Sequence, residues 1–470
     1  MTEHEYDLVA IGGGTAGLVS AVGGRYIGAR TAILEREALG GDCLWTGCVP
    51  SKALVASARL AHAMRHADRL GLRSVAPRHA FEEVMERMRA ARGTVAHHDD
   101  PERFRDLGVG VHFGRARFLG PGVVEVEGVG RIRSPRFVVA TGALPAVPAI
   151  PGLDEAGYLT HRTAFDEDTL ADDVVVLGAG PVGLEFAQVY ARLGARVTVV
   201  EKEREILPRE DPDVAGALRE ILEAEGIAFL LGERATGVER VGETRTVVTE
   251  GGRRVEAGSV FVATGRRPAT GGLGLERAGV ETDGPAVRVD DTLTTTGRGV
   301  WAAGDVTGAL QFTHVADYMA KKVVRNALLP FSSKVRWDVV PRVTYTDPEV
   351  AHVGMLQAEA EAGGASVHRY ALADLDRAIV DGATAGFVKV SADRRGRVLG
   401  ATVLAHGAGE LLMPLVMAME HGLTLGDVAN TIFPYPTMSE GVLRVAQQYR
   451  RGQLGGLAGR VLRKVVSWLA

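Results

Sequence analysis

The chain has 470 residues, 46% hydrophobic and 24% charged, with a formal net charge of −4. That length exceeds one ordinary domain and fits about three; the composition excludes a disordered or fibrous chain, and the small acidic balance gives no reason to expect nucleic acid. Only two cysteines occur, Cys43 and Cys48, too few for a structural disulfide framework in a chain this long.

The first residues pass directly from polar sequence into an apolar run, without the basic region and cleavable apolar stretch of a secretory signal. No window holds the roughly 18 apolar residues needed to span a bilayer, so a cytoplasmic location is the default expectation. Tyr6 to Ile11 reads as a strand, followed by a turn with Gly12, Gly14 and Gly17 and then a helix of small residues. A second strand, Thr31 to Leu34, ends at Glu35, 23 residues after Gly12. Strand, G-x-G-x-x-G turn, helix and acidic strand end make a dinucleotide-binding pattern. Its glycines admit a pyrophosphate to a helix N-terminus, and Glu35 is placed to accept hydrogen bonds from a ribose.

Next comes GGDCLWTGCVPSK, residues 40 to 52, which is expected to open a helix beginning near Pro50. Modest distortion of a helical turn brings residues five apart within disulfide range, and a helix N-terminus favours a thiolate. Two unrelated thiols are the plainer alternative. Lys52 falls on the same helical side, either beside a bound ring or as an ordinary solvated lysine. Residues 81 to 92 read as an amphipathic helix with Phe81, Val84, Met85 and Met88 on its apolar face.

The segment 138–145, containing Thr141 and Gly142, reads as a strand opening into a glycine turn where the chain crosses between domains. The dinucleotide pattern then recurs: strand Val174 to Leu177, turn Gly178, Gly180 and Gly183, helix Leu184 to Leu193, strand Arg196 to Val200, and Glu201. Two such units imply two dinucleotides. An acid at Glu201 favours the free 2′-hydroxyl of NADH, although Lys202 and Arg204 leave NADPH open. Glu185 is a plausible ion-pair partner for Lys52. A second crossing with Gly265 lies at 260–268, and the strand at 299–308 brings Asp305 to a sheet edge, unless that carboxylate merely caps a turn. From about residue 341 the pattern becomes α+β. The last twenty residues carry an apolar stripe (Leu462, Val465, Val466, Leu469) beside Arg460, Arg463 and Lys464. Such a helix lies on an anionic membrane or docks against its own protein, the plainer expectation.

On these motifs, above all GGDCLWTGCVPSK, the chain from Tyr6 to about Gln448 resembles the class I pyridine nucleotide–disulfide oxidoreductases, the family of dihydrolipoyl dehydrogenase, glutathione reductase and mercuric reductase. The resemblance implies an α/β fold: two Rossmann-type dinucleotide-binding domains of glutathione-reductase type and a C-terminal α+β dimerisation domain. It implies an FAD domain over 1–150 completed by 271–340, an NAD(P)H domain over 151–270, a homodimerising domain over 341–450, and the extension 451–470. FAD would be held by Gly12, Gly14, Gly17, Glu35, Lys52, Thr141, Gly142, Gly265 and Asp305, with Thr313, His314, Val315 and Ala316 beside its ring. NADH, or less favourably NADPH, would be held by Gly178, Gly180, Gly183 and Glu201. Cys43 and Cys48 would form a redox-active disulfide, Cys48 as the thiolate facing the flavin and Cys43 as the interchange thiol. Lys52 with Glu185 would support the flavin.

The string FPYPTMSEG, residues 433 to 441, departs from the dithiol-exchanging relatives, which carry histidine where Tyr435 stands. Glu440, the residue that orients that histidine, is retained. A phenol with pKa about 10 rarely replaces imidazole as a proton shuttle at neutral pH. General acid–base help is worth about 10²–10⁴-fold, so weak reduction of lipoamide or glutathione disulfide is expected. Tyrosine there resembles mercuric reductase, yet the auxiliary cysteine pairs of that enzyme are missing from these 470 residues. His406 and His421 are read as surface or turn residues. The implied activity is electron transfer from NAD(P)H through FAD and the cysteine pair to a metal ion, quinone or small disulfide; alternatives are a dihydrolipoyl dehydrogenase and, of another class, a tethered redox-sensing flavoprotein.

Overall fold

The computed structural model describes residues 3–455 and 457–469. The first nucleotide unit forms a five-stranded parallel sheet in the order Val300–Ala302, Phe137–Val139, Leu8–Ile11, Thr31–Glu35, Gly110–Phe113. Its strands are short continuous runs of β-branched and small apolar residues, such as Leu-Val-Ala-Ile, because helices or loops cover both faces. The helices Thr15–Tyr26 and Thr313–Leu328 pack together against it. The strand Val300–Ala302 joins this sheet from about 160 residues downstream in sequence, so the domain is discontinuous.

The second unit is a four-stranded parallel sheet, ordered Ala228–Leu231, Arg196–Glu201, Asp173–Leu177, Ser259–Val262. Between the two units the chain crosses twice, and the crossings pair antiparallel as a ribbon, Ala143–Pro145 against Arg266–Pro268. Thr141 donates its hydroxyl to Ala269 O at 2.7 Å, and the amide of Ala269 donates to Gly142 O at 3.0 Å. These bonds satisfy backbone groups that the turns would otherwise leave unpaired.

Beyond residue 341 five antiparallel strands, ordered Arg342–Thr344, Glu349–Gly354, Val398–Ala405, Phe387–Ala392, Ser366–Ala371, support the helices Ala408–His421 and Glu440–Gly455. Three buried ionic groups tie this part to the rest. Arg192 reaches Glu225 at 2.7 Å and Asp347 at 2.8 Å. Lys389 reaches Asp211 at 2.9 Å and also Asp213, and Arg342 reaches Glu210 at 2.7 Å. Neighbouring cations hold the Asp347 carboxyl below the ordinary range despite its burial.

The amphipathic helix expected at 81–92 runs Phe81–Ala96. Met85 and Met88 are fully buried in one cluster with residues of the helices Cys48–Arg65 and Pro181–Arg192, each burial worth about 1.5–3 kcal/mol. One three-helix core therefore fixes the cysteine helix against the second nucleotide helix. Within this chain the C-terminal extension leaves its stripe uncovered: on the helix Leu457–Leu469 the side chains of Val465, Val466 and Leu469 are exposed. Leu462, the fourth member of the stripe, has its side chain outside the described residues. Among the described residues no helix is long and apolar enough to cross a membrane.

Candidate active site

A cleft of about 1060 Å³ runs from the first glycine turn to the cysteine string and on to the second nucleotide helix. It stands at the upper end of the roughly 300–1,000 Å³ range usual for ligand clefts. Its walls include Gly12, Gly14 and Glu35, then Cys43, Cys48 and Lys52, then Glu185 and Phe186.

The turn at one end is shaped by glycine in two ways. Gly17 sits where an added Cβ would lie 1.8 Å from Gly12 O, so only glycine lets the helix start this close to the strand. At Gly14 the nearest atom to an added Cβ is 3.8 Å away; the space there opens to the cleft rather than to protein. Glu35 holds the turn in shape, accepting from Gly13 N at 2.6 Å through one oxygen and from Arg36 N and Glu37 N through the other. The second unit repeats the device. Glu201 accepts from Ala179 N at 2.7 Å and Glu203 N at 2.9 Å, and Gly183 abuts Gly178 O as Gly17 abuts Gly12 O. Gly178, Gly180, Gly183 and Glu201 do not line this cleft.

The cysteine string forms two helices, not one. Gly41–Trp45 carries Cys43, and Cys48 is the first residue of Cys48–Arg65, two positions before the expected start. Gly47 between them has no room for a Cβ, which would fall 2.7 Å from Asp42 O. Cys43 is half-buried and Cys48 exposed on the cleft wall. A hydrogen bond from Cys43 pulls the Cys48 thiol down to about 6, helped by the Thr313 hydroxyl at 3.4 Å and the Lys52 cation, against the pull of burial. Cys43 moves the other way, raised by the same bond and by burial. The two thiols titrate as a pair, of which Cys48 is the more acidic.

Lys52 is partly buried rather than free in solvent: its ammonium pairs with Glu185 at 2.7 Å and lies 4.3 Å from the centroid of the Tyr345 ring. Glu185 also accepts from Tyr345 N at 2.9 Å. Helix, second nucleotide unit and C-terminal domain therefore meet at one ion pair. Opposite it, Arg266 joins Asp42 at 2.6 Å and Asp305 at 2.9 Å. Asp42 is lowered to about 2, because His161, Arg266 and Thr46 outweigh its burial, whereas burial raises Asp305. Asp305 begins a short helical turn, Asp305–Thr307, but makes no capping hydrogen bond there, and its carboxylate faces the cleft. One buried donor on the cleft wall, Arg266 Nε, makes no hydrogen bond within the protein, and His161 Nε2 has only Asp42 at 3.9 Å, beyond hydrogen-bond distance. Open glycine space beside buried, unanswered donors fits an anionic dinucleotide such as FAD.

Thr313, His314 and Ala316 line the cleft at the start of Thr313–Leu328, but Val315 is turned into the core. Gly17 and Gly265 do not line the cleft. Tyr435 and Glu440 are not brought to the cysteines within this chain. Tyr435 is 68% exposed and donates to Asp376 at 3.1 Å; Glu440 is buried, accepting from Arg444 at 3.3 Å. His406 bonds Asp347 and His421 is exposed, both outside the cleft. Sequence reasoning missed Asp42, His161, Arg266 and Tyr345. Asp42 and Arg266 lay inside quoted motifs as charges at turns, but nothing local to Tyr345 or His161 signalled the cleft.

The pattern of the pyridine nucleotide-disulphide oxidoreductases matches residues 6–320, and that of their dimerisation domain matches residues 340–446. The chain belongs to this family. A mercuric reductase from Streptomyces lividans is 36% identical over 94% of this chain and 96% of its own length. A dihydrolipoyl dehydrogenase from Haloferax volcanii is 36% identical over 94% and 95%. Among solved structures, the Cu(II) complex of RclA, an HOCl-induced flavoprotein disulfide reductase from Escherichia coli, superimposes with TM-score 0.86 at 29% identity, over 95% of this chain and 99% of that one. As a pyridine nucleotide-disulphide oxidoreductase the chain is an enzyme of a class using flavin and NAD(P)H, with a glutathione-reductase-like fold and, through its dimerisation domain, a homodimeric family architecture.

Proposed function

We propose that this oxidoreductase draws electrons from NADH and delivers them, through FAD and the Cys43–Cys48 pair, to a thiophilic metal ion. The carrying observation is the cysteine pair on the cleft wall, with Cys48 at a helix start 3.4 Å from the Thr313 hydroxyl and its thiol lowered to about 6, in a chain that carries Tyr435 where the dithiol-exchanging relatives carry histidine. An acceptor that binds thiolates directly needs no proton shuttle, whereas a disulfide leaving as thiol does. Soft Hg(II) suits sulfur ligands, as does the Cu(I) that reduction of Cu(II) yields. The names of the mercuric reductase relatives and the Cu(II) complex of RclA support the same class.

FAD, when bound, supplies the two-electron relay between the hydride donor and the sulfur pair. Gly12, Gly14 and the donors Arg266 and His161 would hold its diphosphate, and Asp305 its polar chain. Lys52, kept charged-side inward by Glu185, would stabilise negative charge beside the ring. The Cys43–Cys48 disulfide would accept the two electrons, its S–S bond breaking to leave Cys48 as the thiolate nearest the ring and Cys43 as the thiol that meets the acceptor. One NADH gives two electrons and one proton to solution, enough to take one Hg(II) to Hg(0) or two Cu(II) to Cu(I). The buried Glu201 carboxyl at the second strand end supports NADH over its 2′-phosphorylated form.

Steady-state NADH oxidation by FAD-loaded enzyme tests the proposal, comparing Hg(II), Cu(II), a quinone, lipoamide and glutathione disulfide with and without Cys48→Ser. Metal-dependent turnover that Cys48→Ser abolishes is expected. Equal or better turnover of dihydrolipoamide with NAD⁺ would favour the second reading, a dihydrolipoyl dehydrogenase, which the Haloferax relative supports.

A further inference from the structure

The helix Leu457–Leu469 stands outside the chemistry described above. It also lies beyond residue 446, where the match to the dimerisation domain ends. Its residues separate cleanly by helical angle. Val461, Val465, Val466, Trp468 and Leu469 share one half of the circumference and are all exposed, Trp468 by 84%. Arg460, Arg463, Lys464 and Ser467 occupy the other half, also exposed. Arg463 donates to Leu454 O at 3.2 Å, which ties the helix to the end of Glu440–Gly455 without covering its apolar half.

Charge identifies what covers it. Residues 441–470 include Arg444, Arg450, Arg451, Arg460, Arg463 and Lys464 and no acid, in a chain whose net charge is −4. A protein partner satisfied by apolar contact alone would not require a basic flank on the same short helix. An anionic phospholipid surface requires both, since acyl chains receive the apolar half while head-group phosphates receive the cations. Trp468 is the side chain suited to that boundary. The helix spans about 20 Å, too short to cross a hydrocarbon core of about 30 Å, so it lies flat. We infer that Leu457–Leu469 is a peripheral anchor holding the enzyme on an anionic bilayer.

Flotation of the full-length, FAD-loaded protein with phosphatidylglycerol–phosphatidylcholine vesicles, against phosphatidylcholine alone, tests the inference. Wild type is expected to float with the anionic vesicles and to be released by salt. Each cation near the surface contributes about five-fold, so Arg460→Gln, Arg463→Gln and Lys464→Gln together should weaken partitioning about 100-fold. Val465→Asp should abolish it. Both variants should keep wild-type NADH oxidation with a water-soluble acceptor and an unchanged mass by light scattering, which separates loss of anchoring from misfolding. Wild-type protein that ignores anionic vesicles, or that binds uncharged ones equally well, would overturn the inference. So would a change of oligomeric state in Val465→Asp, which would assign the apolar half to a second copy of the chain.

Discussion

Replacing Thr313 by valine removes one hydroxyl from beside the sulfur pair while keeping the side-chain shape. The hydroxyl lies 3.4 Å from Cys48 Sγ at the first residue of its helix. A hydrogen bond to a charged group is worth about 1.5–3 kcal/mol, and the long distance argues for the lower end. At 1.36 kcal/mol per pKa unit, about 1.5 kcal/mol corresponds to about one unit. The Cys48 midpoint should therefore rise from about 6 to about 7 in Thr313→Val. At pH 6 the thiolate fraction would drop from about a half to about a tenth, slowing alkylation of Cys48 about five-fold. The assay is the rate of iodoacetamide modification of the reduced enzyme against pH, read by mass spectrometry on the Cys48 peptide. A wild-type midpoint near that of a free thiol, about 8.5, would refute the charge placement. An unmoved midpoint in Thr313→Val would refute the part assigned to its hydroxyl.

Gly17→Ala should yield protein without bound flavin, because its Cβ would fall 1.8 Å from Gly12 O. Gly183→Ala, 2.0 Å from Gly178 O, should keep flavin absorbance and lose NADH oxidation. Glu201→Gln should narrow the preference for NADH over NADPH, measured as the ratio of kcat/KM values. Arg192→Met leaves Glu225 and Asp347 facing each other in a largely buried site and should cost about 3–5 kcal/mol by urea unfolding at neutral pH. Because Asp347 is held below its ordinary value, its contribution is present above about pH 4 and is lost as pH falls below that. The gap between wild type and Arg192→Met should therefore close in acid.

Both nucleotide units were legible because each is local: strand, glycine turn and acidic strand end lie within about 30 residues. The parallel pairing of Val300–Ala302 with Phe137–Val139 was not, since it depends on contacts far apart in sequence. The same separation explains the site. Lys52 and Glu185 could be named from their motifs, but their 2.7 Å contact is made by the three-helix core, and Tyr345 reaches them from the C-terminal sheet. The cysteine helix starts at Cys48 rather than near Pro50 because Gly47 allows close contact with Asp42, a steric fact invisible to periodicity. The C-terminal stripe was legible as a pattern, while its exposure was not.

Counting electrons tests the central claim most directly. FAD-loaded enzyme, its cysteines oxidised, is titrated with NADH in the absence of oxygen and followed by flavin absorbance. A ring in redox contact with the Cys43–Cys48 pair should take up two equivalents of NADH per flavin, and Cys48→Ser should take up one. One equivalent in wild type would mean that the sulfurs never exchange electrons with the ring.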